Sequence, residues 1–176
     1  RVTAGQTIAI VGRSGSGKST LANLLQSLYH PTDGRICIDG HDIRQVSPQS
    51  LRSQLGVVPQ DCFLFSGTIF DNITLYRPDC SLADVVEAAR LSEAHSFIQA
   101  MPLGYRTPVG ERGSTLSGGQ RQRLLLARAI TGEPRVLFLD EATSALDNVT
   151  QAAVTDTIAR LGMTRVIIAH RLSTVQ

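Results

Sequence analysis

Residues 12–19, GRSGSGKS, have the composition and spacing of a phosphate-binding loop, G-x-x-x-x-G-K-S. Small residues let the backbone curl so that successive N–H groups point inward, toward an anion. Lys18 would reach the β- and γ-phosphates of a nucleotide, and the hydroxyl of Ser19 would bind Mg²⁺. The alternative is a plain glycine turn, but Lys18 is the one lysine beside 16 arginines. A compact cation among backbone donors is a role that the planar arginine side chain cannot fill.

Two neighbouring carboxylates, Asp140 and Glu141, follow an apolar run at residues 136–139. Such a run predicts a buried strand, and ligands bind at the carboxyl ends of strands in an open α/β sheet. Asp140 suits the coordination of Mg²⁺, and Glu141 suits polarising a water that attacks a γ-phosphate. The alternative is the acidic first turn of a helix, without chemistry.

A second candidate anion site is the predicted helix start at residues 117–120, SGGQ. Ser117 and Gln120 form a capping box around two glycines. Each glycine in a first helical turn costs about 1 kcal/mol relative to alanine, so their presence needs a reason. A helix start without side chains lets an anion approach its N–H groups closely. One γ-phosphate does not need two such sites in one chain, so this one would act on the nucleotide of another copy. The alternative is a flexible loop joined to a helix.

Hydrophobic periodicity and turn residues predict the elements that must position these groups. Strands are expected at residues 7–11 (as a buried strand), 35–39, 56–58, 135–139 and 165–169. Helices are expected at residues 18–29, 48–55, 82–89, 93–100, 117–131 and 149–161, with an irregular segment at 60–78 and a loop at 102–115. Strands alternate with helices at both ends of the chain, around a helical block. This order predicts an α/β fold, a parallel sheet with an inserted helical subdomain.

Length and composition restrict the class of protein. With 176 residues, 42% of them hydrophobic and 18% charged, the chain has the size and composition of one globular domain. Its apolar runs are far shorter than the roughly 20 residues of a membrane span. The net charge of +2 gives no argument for nucleic acid, and three scattered cysteines favour a reducing compartment over a disulfide framework or zinc site. The first residue is Arg1 rather than Met, so we expect a piece of a longer protein.

Together, these motifs resemble the nucleotide-binding domain of ATP-binding cassette (ABC) transporters. The matching segments are the Walker A loop (12–20), the Q-loop glutamine (Gln60), the LSGGQ signature (116–120), the Walker B strand (136–141), the D-loop (144–147) and the switch histidine (His170). The resemblance spans nearly the whole chain in the family's order. It implies a P-loop NTPase (RecA-like) core at residues 1–65 and 133–176, with an inserted helical and signature subdomain at residues 66–132.

The resemblance also implies a role for each matched residue. ATP would be bound by Gly12, Arg13, Ser14, Gly15, Ser16, Gly17, Lys18, Ser19 and Thr20, together with Gln60. Ser19, Gln60 and Asp140 would arrange Mg²⁺ and its waters, Glu141 would be the general base, and His170 would contact the γ-phosphate. Two domains pair head to tail in the family. The signature residues Ser117, Gly118, Gly119 and Gln120 would therefore act on the partner's ATP, with Asp147 at the dimer seam.

Further segments resemble ABC exporters in particular. Residues 110–113, GERG, are similar to the exporter X-loop, and residues 66–73 are similar to the segment after the Q-loop. Residues 142–148, with Thr150 and Gln151 following, are most similar to exporters of bacterial peptides, bacteriocins and toxins. The implied function is ATP-driven export by a motor domain at the cytoplasmic face of the inner membrane. Its partners would be a second nucleotide-binding domain, identical or different, and a transmembrane domain. The alternatives are a non-transport ABC ATPase of DNA repair or translation, or a hydrolysis-deficient regulatory half.

The sequence differs from the family at both of its ends. The family places an adenine-stacking aromatic residue upstream of the Walker A loop, and it continues past the switch histidine with more sheet and helix. Here Tyr29 is the first aromatic residue and the sequence given stops at Gln176, so we expect a chain truncated at both ends, with an exposed sheet edge.

The aromatic residues Phe63, Phe65 and Phe70 fit either a core cluster or a contact with the membrane domain.

Overall fold

The computed structural model describes residues 1–13, 15–61, 63–75, 77–140 and 146–169. In chain order its strands are β1 (Thr7–Val11), β2 (Cys37–Ile38), β3 (His41–Asp42), β4 (Leu55–Val58), β5 (Gly67–Thr68), β6 (Pro108–Val109), β7 (Val136–Asp140) and β8 (Thr164–Ala169). Its α-helices are α1 (Lys18–Leu25), α2 (Pro48–Ser53), α3 (Ile69–Thr74), α4 (Leu82–Leu91), α5 (His95–Gln99), α6 (Gly118–Ile130) and α7 (Asn148–Arg160). Short 3-10 helices lie at Ile43–Gln45, Gly104–Arg106 and Glu111–Gly113.

Four parallel strands form the central sheet, in the order β1-β8-β7-β4. Their registers are continuous: Leu55 lies opposite Val136, and Val136 lies opposite Thr164. Because the strands all run in one direction, their carboxyl ends meet at one edge of the sheet. The predicted α/β class, with a parallel sheet and helices, is confirmed.

The prediction that the first strand is buried is wrong. Side chains of β1 alternate between exposed and half-buried, and Val11 is 44% exposed. In the described sheet β1 is a border strand that pairs only with β8, whereas β7 lies between two neighbours and buries Leu137, Phe138 and Leu139. The two strands have similar apolar runs, but composition alone does not tell a central strand from a border strand.

Most helices begin where the sequence predicts, because their caps are local. Ser47 caps α2 by accepting a hydrogen bond from the Ser50 N–H, and Ser81 caps α4 through a complete capping box. Helix α1 ends at Leu25, four residues earlier than expected, and the chain then turns through Ser27, whose φ is 54°. The segment expected to be irregular contains α3, which was not predicted.

Two segments hold short strands that change the predicted picture. Residues expected to form one strand at 35–39 contain only β2, which pairs antiparallel with β3. The expected loop at 102–115 contains β6, which pairs antiparallel with β5 and places Val109 opposite Gly67. This second ribbon joins the segment before α3 to the segment that leads into the signature.

The hydrophobic core connects the helical block to the sheet. Helices α3 and α4 pack on α6, and α6 packs on β4, with Leu124 and Leu125 of α6 almost fully buried. The contact with β4 is close at Gly56, where a Cβ would collide with the carbonyl oxygen of Ala129 and lie 2.9 Å from the Leu137 Cδ1. The backbone of α6 therefore rests almost directly on the strand that leads to Gln60.

Candidate functional site

Candidate residues from three strands gather at the carboxyl edge of the sheet. Gly12 follows β1 directly, Asp140 ends β7, and Gln60 lies two residues after β4. Asp140 lies opposite Ile168, which pairs with Ile10, while Val58 lies opposite Leu139. This register brings Gly12, Gln60 and Asp140 to within two residues of a common row across the sheet. Glu141 and His170, the predicted base and switch histidine, lie outside the described residues, as does Ser14.

The loop after β1 has the backbone geometry of an anion-binding turn. Gly15 and Gly17 have φ angles of 79° and 88°, in the left-handed region that favours glycine. Gly17 is the N-cap of α1, and the Ser16 N–H donates to the Arg13 carbonyl at 3.1 Å, which closes the turn. A Cβ at Gly12 would lie 2.7 Å from Ser16 Oγ, so a side chain there would displace the Ser16 hydroxyl. The loop leads into the positive end of α1.

Lys18 lies beneath this loop rather than in solvent. Its side chain is buried, at 7% exposure, and Nζ donates to the carbonyl oxygens of Gly12 at 2.7 Å and of Arg13 at 2.9 Å. An ammonium group has three protons, so one remains for an anion held in the loop. Ser19 and Thr20, the next residues of α1, are exposed.

The donor set at this edge fits Mg²⁺. Ser19 offers a hydroxyl, Gln60 an amide carbonyl and Asp140 a carboxylate, and Mg²⁺ prefers such oxygen ligands together with water and phosphate oxygens. Gln60 is exposed and Asp140 is half-buried, which leaves room for water molecules around an ion.

The predicted second anion site is a capped helix start. Ser117 Oγ accepts from the Gln120 N–H at 3.2 Å, and Gln120 Oε1 accepts from the Ser117 N–H at 2.9 Å. These contacts form the predicted capping box at the start of α6. None of the hydrogen bonds seen among the described residues joins Ser117 or Gln120 to the loop at 12–19, so the chain has two separate candidate anion sites.

This capping box differs from the other two that the structure describes. In α3 and α4 the third helical residue is an aspartate, and the capping hydroxyl of Thr68 or Ser81 donates to that carboxylate at 2.7–2.8 Å. In α6 that residue is the neutral Gln120, and within the described part of the chain the Ser117 hydroxyl has no acceptor for its proton. A neutral cap with an available hydroxyl proton suits an anion, whereas a carboxylate at the same position would repel it.

Arg121, which belongs to none of the sequence motifs, holds the segment before the signature. Arg121 Nη1 donates to the carbonyl oxygens of Leu116 at 3.1 Å and Gly113 at 3.4 Å. Gly113 has a φ of 69°, and a Cβ there would lie 2.9 Å from Leu64 Cδ1. The Arg121 side chain therefore fixes the turn that precedes Ser117, through contacts for which the local sequence gives no signal.

Asp147 acts as an N-cap in the structure. Its carboxylate accepts from the N–H and the hydroxyl of Thr150, at 3.0 and 2.8 Å, at the start of α7. These hydrogen bonds, the backbone one first, lower the pKa of Asp147. Most of the preceding D-loop lies outside the described residues, so the predicted place of Asp147 at a dimer seam stays a prediction.

The three aromatic residues after Gln60 divide into two groups. Phe70 of α3 packs against the core cluster, whereas Phe63 and Phe65 are each 45% exposed. The two exposed rings make an edge-to-face pair with centroids 5.0 Å apart. Of the three rings, that of Phe70 therefore belongs to the core, and those of Phe63 and Phe65 lie at the surface.

Comparison with known proteins identifies related chains. A family model described as "ABC transporter" matches residues 1–144. The chain is 51% identical over its whole length to ABC transporter B family member 17 of Arabidopsis thaliana, and 52% identical over 99% of its length to the alpha-hemolysin translocation ATP-binding protein HlyB of Escherichia coli O157:H7. It spans 14% of the first relative and 25% of the second.

A solved structure shares the fold. The structure of a bacterial Atm1-family ABC exporter with ATP bound superimposes with a TM-score of 0.94 and 49% identity. The superposition covers 99% of this chain and 31% of that one. Within the described residues, no helix has the length and apolar character needed to cross a membrane.

Proposed function

The chain belongs to the ABC transporter family, and from this we propose that it is the ATP-binding and ATP-hydrolysing motor unit of an exporter. The observation that carries the proposal is Lys18, buried beneath a glycine loop at the same sheet edge as Asp140 and Gln60. The near-complete superposition on an exporter with ATP bound supports it. The proteins named above are an ABC transporter B family member, an alpha-hemolysin translocation protein and an Atm1-family exporter, all at 49–52% identity, so the transported substrate is left open.

In the proposed mechanism, this chain's residues bind and orient one ATP. The amides of residues 12–17 and the Lys18 ammonium hold its β- and γ-phosphates, as a point charge among backbone donors can. Ser19, Gln60 and Asp140 would hold Mg²⁺ and its waters, and the ion, when bound, would supply positive charge that offsets the charge of the phosphates. Glu141 accepts a proton from the attacking water, and His170 orients the reacting groups.

We further propose that a second nucleotide-binding unit completes the site. Ser117, Gly118 and Gly119 present the start of α6 to the ATP of a head-to-tail partner, with Gln120 as their neutral cap and Asp147 at the seam. Residues 1–65 and 133–176 then form the RecA-like core and residues 66–132 the signature subdomain. The remaining partner is a transmembrane domain, and this chain would lie at the cytoplasmic face of the inner membrane. A net charge of +2 gives no support for nucleic acid as a partner.

The test is Mg·ATP hydrolysis by the purified chain across a series of protein concentrations, beside Glu141→Gln. We expect a rate per molecule that rises with protein concentration, because two chains complete each site. The rate should vanish in Glu141→Gln, because the base is removed while every binding group stays. The variant should also accumulate an ATP-bound dimer in size-exclusion chromatography. Turnover that survives in Glu141→Gln contradicts the assignment of the base. ATP binding without turnover at any concentration in the unsubstituted chain would mean that this piece does not pair productively without its partners, and the test then moves to a longer chain.

A further inference from the structure

Arg128 of α6 contacts α3 and the segment that follows Gln60. The proposed mechanism gives these contacts no role. Arg128 lies near the C-terminal end of α6, which begins at the signature about 16 Å away, from the rise of 1.5 Å per residue. Its Nε donates to the Asn72 carbonyl oxygen at 2.7 Å, and its Nη1 donates to the Phe63 carbonyl oxygen at 3.0 Å. The guanidinium also lies 5.4 Å from the centroid of the Phe65 ring.

Asn72 extends this contact to the backbone of the same segment. It is 2% exposed, and its Oδ1 accepts from the Phe65 N–H at 2.8 Å and from Arg128 Nη2 at 2.9 Å. Its Nδ2 donates to the carbonyl oxygens of Phe65 and Thr68, at 2.8 and 3.0 Å. The side-chain amide therefore uses both donors and its acceptor, and Phe65 is held through N–H and C=O together.

The chemistry of the contact requires a guanidinium. The acceptors that Arg128 reaches are two backbone carbonyls and one amide oxygen, which lie in different directions around a planar group. Burial lowers the pKa of Arg128 to about 10, so the side chain remains a cation at neutral pH. A lysine ammonium is a compact group that cannot present this fork to the same three oxygens.

We propose that Arg128 is a positioning residue that clamps residues 63–65, the segment following Gln60, onto the helix that begins with the signature. The inference rests on the proposed function, in which Gln60 helps to hold Mg²⁺. With the clamp in place, Gln60 and the start of α6 keep a fixed relation. Without it, the segment is released and Gln60 reaches the ion less often.

The experiment compares Arg128→Lys with a matched control, Arg77→Lys, in the full chain. Arg77 also joins α3 to α6: it donates from Nε to the Thr74 carbonyl at 3.1 Å and from Nη2 to the Thr131 carbonyl at 2.7 Å. It makes no hydrogen bond to residues 63–65 among those that the structure describes. General loosening of the helical block should affect both variants, whereas loss of the clamp should affect Arg128→Lys alone.

Two readouts separate the clamp from the proposed function. The first is hydrogen exchange of the Phe65 amide in the nucleotide-free protein, which should accelerate by about tenfold or more in Arg128→Lys, as for loss of a hydrogen bond to a charged group. The second is the Mg²⁺ concentration that half-saturates ATP binding, which should rise by about fivefold, a typical coupling between sites. ATP affinity in EDTA should stay unchanged, because the loop at 12–19 is untouched.

Unchanged Phe65 exchange in Arg128→Lys, or equal changes in both variants, overturns the proposal. An altered Phe65 exchange with unaltered Mg²⁺ dependence overturns the positioning role. Failure of the unsubstituted chain to bind ATP would contradict the proposed function instead, while the exchange measurement still decides whether the clamp exists. If Arg128→Lys does not fold, Phe65→Leu removes the ring face beneath the guanidinium. The exchange of the amide of residue 65 and the Mg²⁺ dependence should then move in the same direction, by less; no shift in either overturns the clamp.

Discussion

Replacing Ser117 with alanine should separate the structural role of the signature serine from its proposed role on a partner's ATP. The substitution removes the oxygen that accepts from the Gln120 N–H at 3.2 Å, together with the hydroxyl proton. The chain offers a close control in Ser81→Ala, because Ser81 Oγ accepts from the Asp84 N–H at the same distance, 3.2 Å, in a capping box of the same pattern. Both variants lose this cap contact, and Ser81→Ala also loses the hydrogen bond from the Ser81 hydroxyl to the Asp84 carboxylate at 2.8 Å. Only Ser117 lies in the signature.

The expected loss of stability follows from the lost cap. Replacing an N-cap serine by alanine costs about 1 kcal/mol. Unfolding entropy of about 2.1 cal/mol/K per residue amounts to roughly 370 cal/mol/K for 176 residues. Dividing the first quantity by the second gives a decrease in Tm of about 3 °C for Ser117→Ala. The decrease should be larger for Ser81→Ala, which also loses the hydrogen bond to the Asp84 carboxylate. Thermal unfolding followed by circular dichroism checks this value.

The functional consequence should differ between the two variants. Ser81→Ala should retain the rise of ATP turnover with protein concentration, since α4 carries no predicted ATP contact. Ser117→Ala should bind ATP as before, because the loop at 12–19 is intact, but should lose most of the concentration-dependent turnover. Equal turnover in both variants would show that Ser117 is only a helix cap. A loss of ATP affinity in Ser117→Ala would contradict the idea that the signature acts on another copy.

Two further predictions rest on charges near helix starts. Gln120→Glu should keep the cap and gain about 0.3–1 kcal/mol from the helix dipole. Added to Glu141→Gln, it should abolish the ATP-bound dimer in size-exclusion chromatography, because a carboxylate at this helix start repels a phosphate; a dimer that persists would refute the argument from the neutral cap. Hydrogen bonds from Arg44, the side-chain ones first, hold the pKa of Asp42 at about 2, below its ordinary 3.8. The depressed pKa means that the carboxylate stabilises the fold above about pH 4 and loses this effect as the pH falls toward 2. Asp42→Asn should therefore lower Tm at pH 7, and the difference in Tm from the unsubstituted chain should narrow between pH 4 and pH 2. A difference in Tm that does not depend on pH would contradict the link between the Asp42 pKa and stability.

Features encoded by neighbouring residues could be predicted from the sequence. The loop at 12–19, the caps of α2, α4 and α6, and the apolar strand β7 each depend on residue types within a few positions of one another. Helix α3 also has such a signal, the capping box between Thr68 and Asp71, but six residues are too few to show helical periodicity. The aromatic residues around this capping box made the segment look irregular, so the sequence did not predict a helix there.

Features set by distant parts of the chain could not be predicted. The apolar residues of β1 gave no sign that this strand borders the described sheet, since its neighbour β8 lies more than 150 residues away in sequence. The contacts of Arg128 join residues separated by 56 and 65 positions, and those of Arg121 depend on a turn that the periodicity does not reveal. In a chain with 16 arginines, composition does not indicate which of them are held inside.

The continuous register of the parallel sheet also determines where the chain can change length. An extra residue inside β7 would turn every following side chain to the opposite face and move Asp140 away from the row it shares with Ile168 and Ile10. An extra residue in the connection between α6 and β7, where Gly132 and Glu133 already turn with positive φ, would leave that row intact. Insertions and deletions are thus tolerated according to which end of a strand they reach: the amino edge can absorb them, whereas the carboxyl edge, where the chemistry is assembled, cannot.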